Sequence, residues 1–579
     1  MIHILIEQRL RERVLQLLPD ADPQLLQVRP CADTRFGDYQ TSGLMNLAKQ
    51  RKMNPRQLAT TVIAQLDVKQ WCEPVEIAGP GFLNFRLTTS AVGEVLQQAA
   101  RGEHLFFTEA PSLRTVVIDF SSPNVAKPMH VGHIRSTILG NCLAQVLRLL
   151  GHRVITDNHI GDWGTQFGKL LVGWKQSLNR QALKADAIGE MERLYKKINA
   201  DCDADASVLE SARQELVKLQ GGDAENLAIW REMLALSQAQ FDAVYRRLSI
   251  AFDCALGESF YNPRLKRVVN QLVETGVAKE SQGALVVFFD QVAELKDHPA
   301  IIQKNDGAAN YTTTDLATLE YRLETWSPDE IIYVTDGRQQ LHFKQLFEIF
   351  RQWKPAAHVR LTHVWFGAIL GDDGKPFKTR SGEIIKLTEL LDEAEERAFH
   401  VVTDKNPDLD VARCQSIART VGIGAVKYAD LLPNRQSDYV FNWDKMLALN
   451  GNTAPYLLYA YTRIRSLFRK LSEDYPAGFS LEEAARSVFR LTVAEEIRLA
   501  KHLLNFGLVL EAVAEELRPN YLCNYLFELA GYFASFYETC PVLKAEPFER
   551  TSRLALCELT GRVLKQGLEV LGIETAEEM

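Results

Sequence analysis

One stretch constrains the fold more than any other. Thr115-Val-Val-Ile-Asp-Phe120 is a run of mostly apolar, β-branched residues, the pattern of a strand buried on both faces. A turn containing Pro123 and Pro128 follows. A helical run then starts near Gly132, with Ile134, Ile138, Leu139, Leu143, Val146, Leu147 and Leu150 inward and Gly151 as its stop. A second strand at Arg153–Asp157 completes a strand–helix–strand unit, the building block of a parallel sheet. The pattern returns at Ile331-Ile-Tyr-Val-Thr-Asp336, followed by a helix over His342–Trp353. Such a chain is α/β, and its ligands are expected beyond the carboxyl ends of the strands.

The rest of the chain is organised around that unit. Ile2, Leu5, Ile6, Leu10, Val14, Leu17 and Leu18 recur at helical spacing, with Pro19 and Pro23 as breakers. Residues 75–87 alternate on both sides of Gly79-Pro80-Gly81, which predicts a hairpin. Residues 1–110 therefore read as a small α+β domain, ending in the loose stretch Thr108–Ser112. A charged stretch at about 172–300 reads as a helical insertion, with the acidic run Asp201–Asp205 as a solvated loop. From Asn452 onward helical spacing predicts an all-α domain over 451–579, leaving 111–450 for the parallel sheet.

Composition excludes several classes. At 46% apolar and 24% charged the chain is ordinary globular protein, and no apolar run approaches the ~18 residues of a membrane span. The net charge of −8 leaves room for RNA only through a local basic face. Nine scattered cysteines, without a CxxC pair or a Cys/His quartet at zinc spacing, read as reduced thiols of a cytoplasmic protein with no structural metal. The start at Met1 lacks signal-peptide order, and Glu7 and Glu12 do not suit a transit peptide.

Two segments carry chemistry. Ser121-Ser-Pro-Asn-Val-Ala-Lys-Pro-Met-His-Val-Gly-His133 lies where the first strand turns into its helix. The free N–H groups of a helix start suit phosphate, His130 and His133 project on one side, and Gly132 permits close approach. The plainer alternative is two histidines in an N-terminal helical turn. Gly371-Asp-Asp-Gly-Lys-Pro-Phe-Lys-Thr-Arg-Ser-Gly382 is a glycine-bounded basic loop. Lys375, Lys378 and Arg380 would neutralise a departing pyrophosphate, although a basic loop alone is usually solvated surface.

In this order the segments resemble the HIGH and KMSK elements of class I aminoacyl-tRNA synthetases. Asn124-Val-Ala-Lys127, Asn158-His-Ile-Gly-Asp-Trp-Gly-Thr-Gln-Phe-Gly168, Tyr311-Thr-Thr-Thr-Asp315 and Asn452-Thr-Ala-Pro-Tyr-Leu-Leu-Tyr-Ala-Tyr461 narrow the match. They resemble the bacterial arginyl-tRNA synthetases, over nearly the whole chain. The resemblance implies a Rossmann-like catalytic domain, an amino-terminal tRNA-binding domain and an all-α anticodon-binding domain. It also implies ligation of L-arginine to tRNA(Arg) with Mg·ATP, through arginyl-adenylate, by a monomer that needs tRNA before it activates arginine. Where most class I enzymes read KMSK this chain has Phe377-Lys-Thr-Arg380, and Lys127 is implied to stand in for the missing lysine.

By the same resemblance, His130, His133, Lys127, Lys378 and Arg380 are catalytic, and Gly132 and Lys375 join Lys127 and the histidines around ATP. Asn124, Glu258, Tyr311, Asp315 and Gln339 fall at the arginine-reading positions. A guanidinium is a permanent planar cation, so two acids there make physical sense. Polar mismatch of this kind gives ~10⁴–10⁵-fold discrimination, enough to dispense with an editing domain, and none is apparent.

Tyr456, Tyr459 and Tyr461, followed by Arg463, Arg465, Arg469 and Lys470, have the ring-and-cation make-up that binds unpaired bases. Helical spacing equally makes Tyr456 and Tyr459 core residues. The resemblance puts Tyr456, Tyr459, Tyr537 and Met579 at the anticodon site. It puts Phe82 and Asn84 at the tRNA D-loop, while Phe82 reads equally well as hairpin core. Another class I synthetase or a small-molecule adenylylating ligase would keep both histidines but change the pocket. A silent tRNA-binding paralogue would be expected to lose phosphate-binding groups that this chain retains.

Overall fold

A computed structural model describes residues 1–377, 385–405, 407–474, 479–486 and 489–579. The expected unit is present as β1 (Thr115–Asp119), α1 (Val131–Leu149) and β2 (Arg153–Asp157). Farther along come α2 (Ala224–Arg247), α3 (Tyr311–Trp326), β3 (Glu330–Asp336), α4 (Gln340–Trp353) and β4 (Arg360–Phe366). The four strands form one parallel sheet in the order β4-β3-β1-β2, with Ile331 beside Val117 and Val117 beside Ile155. Val116, Val117, Ile118, Ile331, Ile332 and Val334 are wholly buried, as a two-sided sheet requires. From β1 the chain crosses to β2 on one side, and from β3 to β4 on the other. The switch in direction between β1 and β3 opens a crevice at the strands' carboxyl ends.

A buried cation fixes those ends. Arg322, on α3 and without exposed side-chain surface, donates to Asp119 Oδ2 at 2.6 Å and to Asp157 Oδ2 at 2.8 Å. Asp119 and Asp157 are the last residues of β1 and β2 and are register partners. The helix that carries Tyr311 and Asp315 is thereby tied to the floor of the crevice.

Residues 172–300 are helical only in part. Helices Gln166–Ser177, Arg180–Ala185, Ala187–Ala204, Ala206–Gln220 and α2 are followed by a 3₁₀ turn at Glu258–Tyr261 and the helix Asn262–Glu274. Three antiparallel strands, Lys279–Ser281, Ala284–Val287 and Ala300–Gln303, then replace the expected helix. The cause is local: Gln282 and Gly283 both take positive φ (52° and 80°), the backbone of a two-residue hairpin turn that heads a β-branched run. Nor is the acidic run a loop. Asp201 to Ala204 end one helix, and Asp205 caps the next by accepting from the Ser207 N–H.

Residues 110–447 and 570–573 make up the compact unit built on this sheet. Residues 1–109, 448–569 and 574–579 form a second compact unit. In the second unit Ile2–Leu17 is helical and buries Ile2, Ile6, Leu10 and Val14. The expected hairpin pairs Glu76–Ala78 with Phe82–Phe85 inside a four-stranded antiparallel sheet. Helices Ala454–Asp474, Ala494–Leu503, Phe506–Glu516, Asn520–Thr539 and Pro547–Val570 account for most of the carboxyl-terminal part. Asp38 and Lys501 form an ion pair at 2.7 Å between the two parts of this unit. Among the described residues no helix is long and apolar enough to cross a membrane.

Candidate active site

His130 caps α1 with its side chain. The Gly132 N–H donates to His130 Nδ1 at 3.1 Å, and the His130 N–H donates to His133 Nδ1, also at 3.1 Å. A ring nitrogen that accepts carries no proton, so both imidazoles are neutral with the proton on Nε2. Their centroids lie 4.0 Å apart. Burial holds both pKa values down, His133 to about 3 with the neighbouring His130 ring adding to the effect. At His130 the positive charges of Arg338 and Lys127 act in the same direction. The result is a pair of uncharged N–H donors at a helix start whose first amides are already engaged, Val131 with the Ile385 carbonyl, Gly132 with His130 Nδ1 and His133 with the His130 carbonyl. Gly132 is required for this geometry, because a Cβ there would sit 2.8 Å from His130 Cε1.

The loop entering the helix is strained. Ser121, Ser122 and Ala126 have φ of 74°, 47° and 61°, a region that costs non-glycine residues about 1–3 kcal/mol each. Surrounding hydrogen bonds hold it. Ser121 N–H donates to Ser136 Oγ at 2.8 Å, and Ser122 N–H donates to Asn158 Oδ1 at 3.0 Å. From α2, Ser237 Oγ accepts from the Ala126 N–H at 3.0 Å, and the Tyr245 hydroxyl lies 2.8 Å from Ser121 Oγ. The insertion thus buttresses the histidine loop. A second of its helices, Ala187–Ala204, presents the Tyr195 ring to Lys127, with Nζ 5.3 Å from the centroid.

The loop after β2 lies alongside. The Val125 N–H donates to Gly161 O and the Gly161 N–H to Pro123 O, both at 3.0 Å. A side chain at Gly161 would run into Asn124 Oδ1. One residue on, Asp162 accepts from the Ser259 N–H at 2.8 Å and from Ser259 Oγ at 2.6 Å, and the Glu258 N–H donates to Ile160 O. Glu258 is therefore held against the same loop as Asn124.

Glu258 and Asp315 lie near enough for the charge of one to act on the other. Burial raises the Glu258 pKa to about 7; the His159 charge opposes the rise, and Asp315 and Asp162 add to it. Asp315 accepts from His342 Nε2 at 2.7 Å. Among the described residues no lysine or arginine pairs with either acid. Tyr311, 60% exposed, lies with its ring 4.9 Å from that of His342. Gln339 is the N-cap of α4, beyond β3, and is exposed. Asn124 and Gln339 follow the carboxyl ends of β1 and β3, Tyr311 and Asp315 belong to the helix that Arg322 docks there, and Glu258, at the start of the 3₁₀ turn Glu258–Tyr261, is held against the loop after β2.

The basic loop is anchored on both sides. The Gly371 N–H donates to Lys375 O at 2.8 Å, the Phe377 N–H to Ile369 O at 3.0 Å, and the Phe377 ring stacks on Phe441 at 4.5 Å. Downstream, the Val131 N–H donates to Ile385 O and the Leu387 N–H to Met129 O, which pairs this strand of chain with the histidine segment itself. Lys375 is exposed, and Lys378 and Arg380 lie outside the described residues.

In the other unit, Tyr459 is half exposed, Tyr456 packs 5.6 Å from the Phe527 ring, and Arg463 stacks on Tyr537 at 4.4 Å. Tyr461 is buried with its hydroxyl on Glu577. Arg465 and Arg469 grip the terminal segment, Arg465 through the Glu577 carboxylate and Arg469 through the Glu577 carbonyl. They hold the chain end that carries Met579. Phe82 is half-buried and Asn84 is 5% exposed.

The sequence reading gave no role to His159, Asp162, Tyr195, Tyr245, Arg338 or His342. Asp162 and His159 belong to the 158–168 segment that carried the resemblance, and Arg338 and His342 flank Gln339, so the signal was proximity to named motifs.

Comparison with known proteins identifies the family. Three family models match: "Arginyl tRNA synthetase N terminal domain" over 2–87, "tRNA synthetases class I (R), catalytic domain" over 94–443, and "DALR anticodon binding domain" over 457–579. The chain is 47% identical over 562 residues to an arginine–tRNA ligase of Citrobacter koseri, covering 96% of each. It is 46% identical over 585 residues to that of Escherichia fergusonii, covering 100% of each. The arginyl-tRNA synthetase of Plasmodium falciparum superposes with a TM-score of 0.83 at 28% identity, covering 100% of this chain and 99% of the other. That of Thermus thermophilus gives 0.84 at 25% identity, covering 100% of both. The chain belongs to the arginyl-tRNA synthetase family of class I aminoacyl-tRNA synthetases.

Proposed function

We propose that this chain joins L-arginine to tRNA(Arg) in an ATP-dependent, two-step reaction. In the first step a carboxylate oxygen of arginine attacks the α-phosphorus of Mg·ATP. The bond to the β-phosphate breaks, leaving arginyl-adenylate and pyrophosphate. In the second, a hydroxyl of the tRNA's terminal ribose attacks the activated carbonyl and AMP departs. The acid pair Glu258 and Asp315, without a lysine or arginine partner among the described residues, carries the arginine assignment.

The Nε2–H groups of His130 and His133 donate to phosphate oxygens without adding full charge, which leaves room for Mg²⁺ bound to the nucleotide. Lys127, Lys375, Lys378 and Arg380 neutralise the pyrophosphate as it leaves. Asn124 and Gln339 orient the arginine backbone, and Tyr311 covers its side chain. Little covalent chemistry is asked of the protein, and positioning with charge stabilisation supplies the rate. Phe82 and Asn84 on one side, and Tyr456, Tyr459, Tyr537 and Met579 on the other, are the tRNA contacts in this reading. Binding of tRNA precedes arginine activation, and the enzyme acts as a cytoplasmic monomer.

Aminoacylation of total tRNA with each of the twenty amino acids tests the reading. Charging with arginine alone is expected, and charging with any other residue in its place overturns it. Lys127→Ala is expected to slow arginine-dependent ATP–pyrophosphate exchange by about 10²-fold, the scale of losing one electrostatic contact to the transition state. An unchanged rate in a folded variant removes Lys127 from the mechanism.

A further inference from the structure

His342 stands in the first turn of α4 and bridges two of the residues assigned to arginine. Its Nε2 lies 2.7 Å from Asp315 Oδ2, and its ring lies 4.9 Å from that of Tyr311. Both members of the hydrogen bond are largely enclosed, with 14% of the His342 side chain and 25% of the Asp315 side chain exposed. The other ring nitrogen, Nδ1, is buried and has no hydrogen-bond partner among the described residues. A proton there would be an unsatisfied buried donor, so the proton belongs on Nε2, aimed at the carboxylate. The neighbour on the far side is also fixed: Phe343 stacks on His363 at 4.4 Å, and His363 Nε2 meets Thr335 Oγ1 at 2.8 Å.

We infer that His342 is a positioning residue for amino-acid selection. Its N–H occupies one oxygen of Asp315, which fixes the carboxylate plane and leaves the second oxygen to accept from a guanidinium. Its ring also braces Tyr311, which is otherwise largely open to solvent. Geometry of this kind matters for arginine in particular, because a guanidinium donates through a rigid fork and rewards a carboxylate held at a set angle. Without His342 the carboxylate would rotate about its terminal torsion and meet the ligand in many orientations.

The inference rests on the arginine reading, and one pair of variants separates the two. In His342→Gln the amide nitrogen occupies the place of Nε2 and still reaches Asp315; in His342→Asn it occupies the place of Nδ1 and does not. With tRNA present, His342→Asn is expected to raise KM for arginine in pyrophosphate exchange about 10- to 100-fold, the range of a hydrogen bond to a charged group. KM for ATP and kcat at saturating arginine should stay within about two-fold, while His342→Gln recovers most of the loss. In an Asp315→Asn background the His342→Asn change should add nothing further. An arginine KM that stays put in His342→Asn, or one that rises together with KM for ATP, overturns the positioning role. Absence of arginine-dependent exchange in the unaltered enzyme would instead overturn the assignment of the substrate.

Discussion

Glu258→Gln is expected to weaken arginine binding by about 10²–10³-fold, the cost of removing one partner from an enclosed charge pair. A guanidinium only donates, so the amide that replaces the carboxylate brings an N–H against an N–H and removes the charge together. ATP affinity should hardly move. Glu258 also makes arginine binding depend on pH in a defined direction. In the empty site burial lifts its pKa to about 7, with Asp315 and Asp162 adding to the rise. Below that pH the carboxyl is protonated and must release its proton when the cation enters. Affinity should therefore increase up to about ten-fold per pH unit below 7 and level off above it. Calorimetry at pH 7 in buffers of different ionisation enthalpy should detect proton release on arginine binding, and Glu258→Gln should abolish it. Affinity that stays constant from pH 6 to 8 would exclude Glu258 as the titrating ligand.

The parts of this molecule that were legible in its sequence are those governed by nearest-neighbour periodicity. Strands β1 and β3 are largely apolar runs with punctuation at their ends, and the hairpin at 76–85 announces itself through Gly79-Pro80-Gly81. The same rule was available at Gln282-Gly283 ahead of Ala284-Leu-Val-Val, but the charged stretch around it favoured a helix, and three strands resulted. Long-range polar partners left no such trace. Nothing near Arg135 in the sequence signals that it is buried against Asp430, with its guanidinium donating to the Gly367 carbonyl at 2.8 Å. A tyrosine in the insertion that braces Ser121 from more than a hundred residues away is equally invisible to periodicity. The arginines after Tyr461 have partners that their spacing beside rings does not announce: Arg465 and Arg469 are engaged with the terminal segment. The candidate site residues are read from whole motifs, and the groups that contact them lie between or beside those motifs.

Replacement of Arg322 should have the largest effect on the fold. Its guanidinium meets Asp119 and Asp157 in a space closed to solvent; burial opposes its charge, and these two acids overcome that and hold its pKa well above the ordinary arginine value. Arg322→Met preserves much of the volume and leaves two carboxylates without their cation at the ends of adjacent strands. Breaking a buried ion pair from one side costs about 3–5 kcal/mol, so urea denaturation followed by a probe in the sheet-bearing unit should show a loss of that order. Asp157→Asn with Asp119→Asn in the same chain removes the stranded charges and should restore part of the loss, since replacing every member of a buried ionic cluster is far milder than removing one. Because Arg322 lies on the helix that carries Tyr311 and Asp315, the triple variant should fold yet bind arginine less tightly, its helix no longer tied to the strand ends. If Arg322→Met unfolds at the same urea concentration as the unaltered chain, the buried cluster does not hold the crevice together. The position of Asp315 would then have to be credited to the apolar packing of α3, in which Leu316, Ala317 and Leu319 are buried.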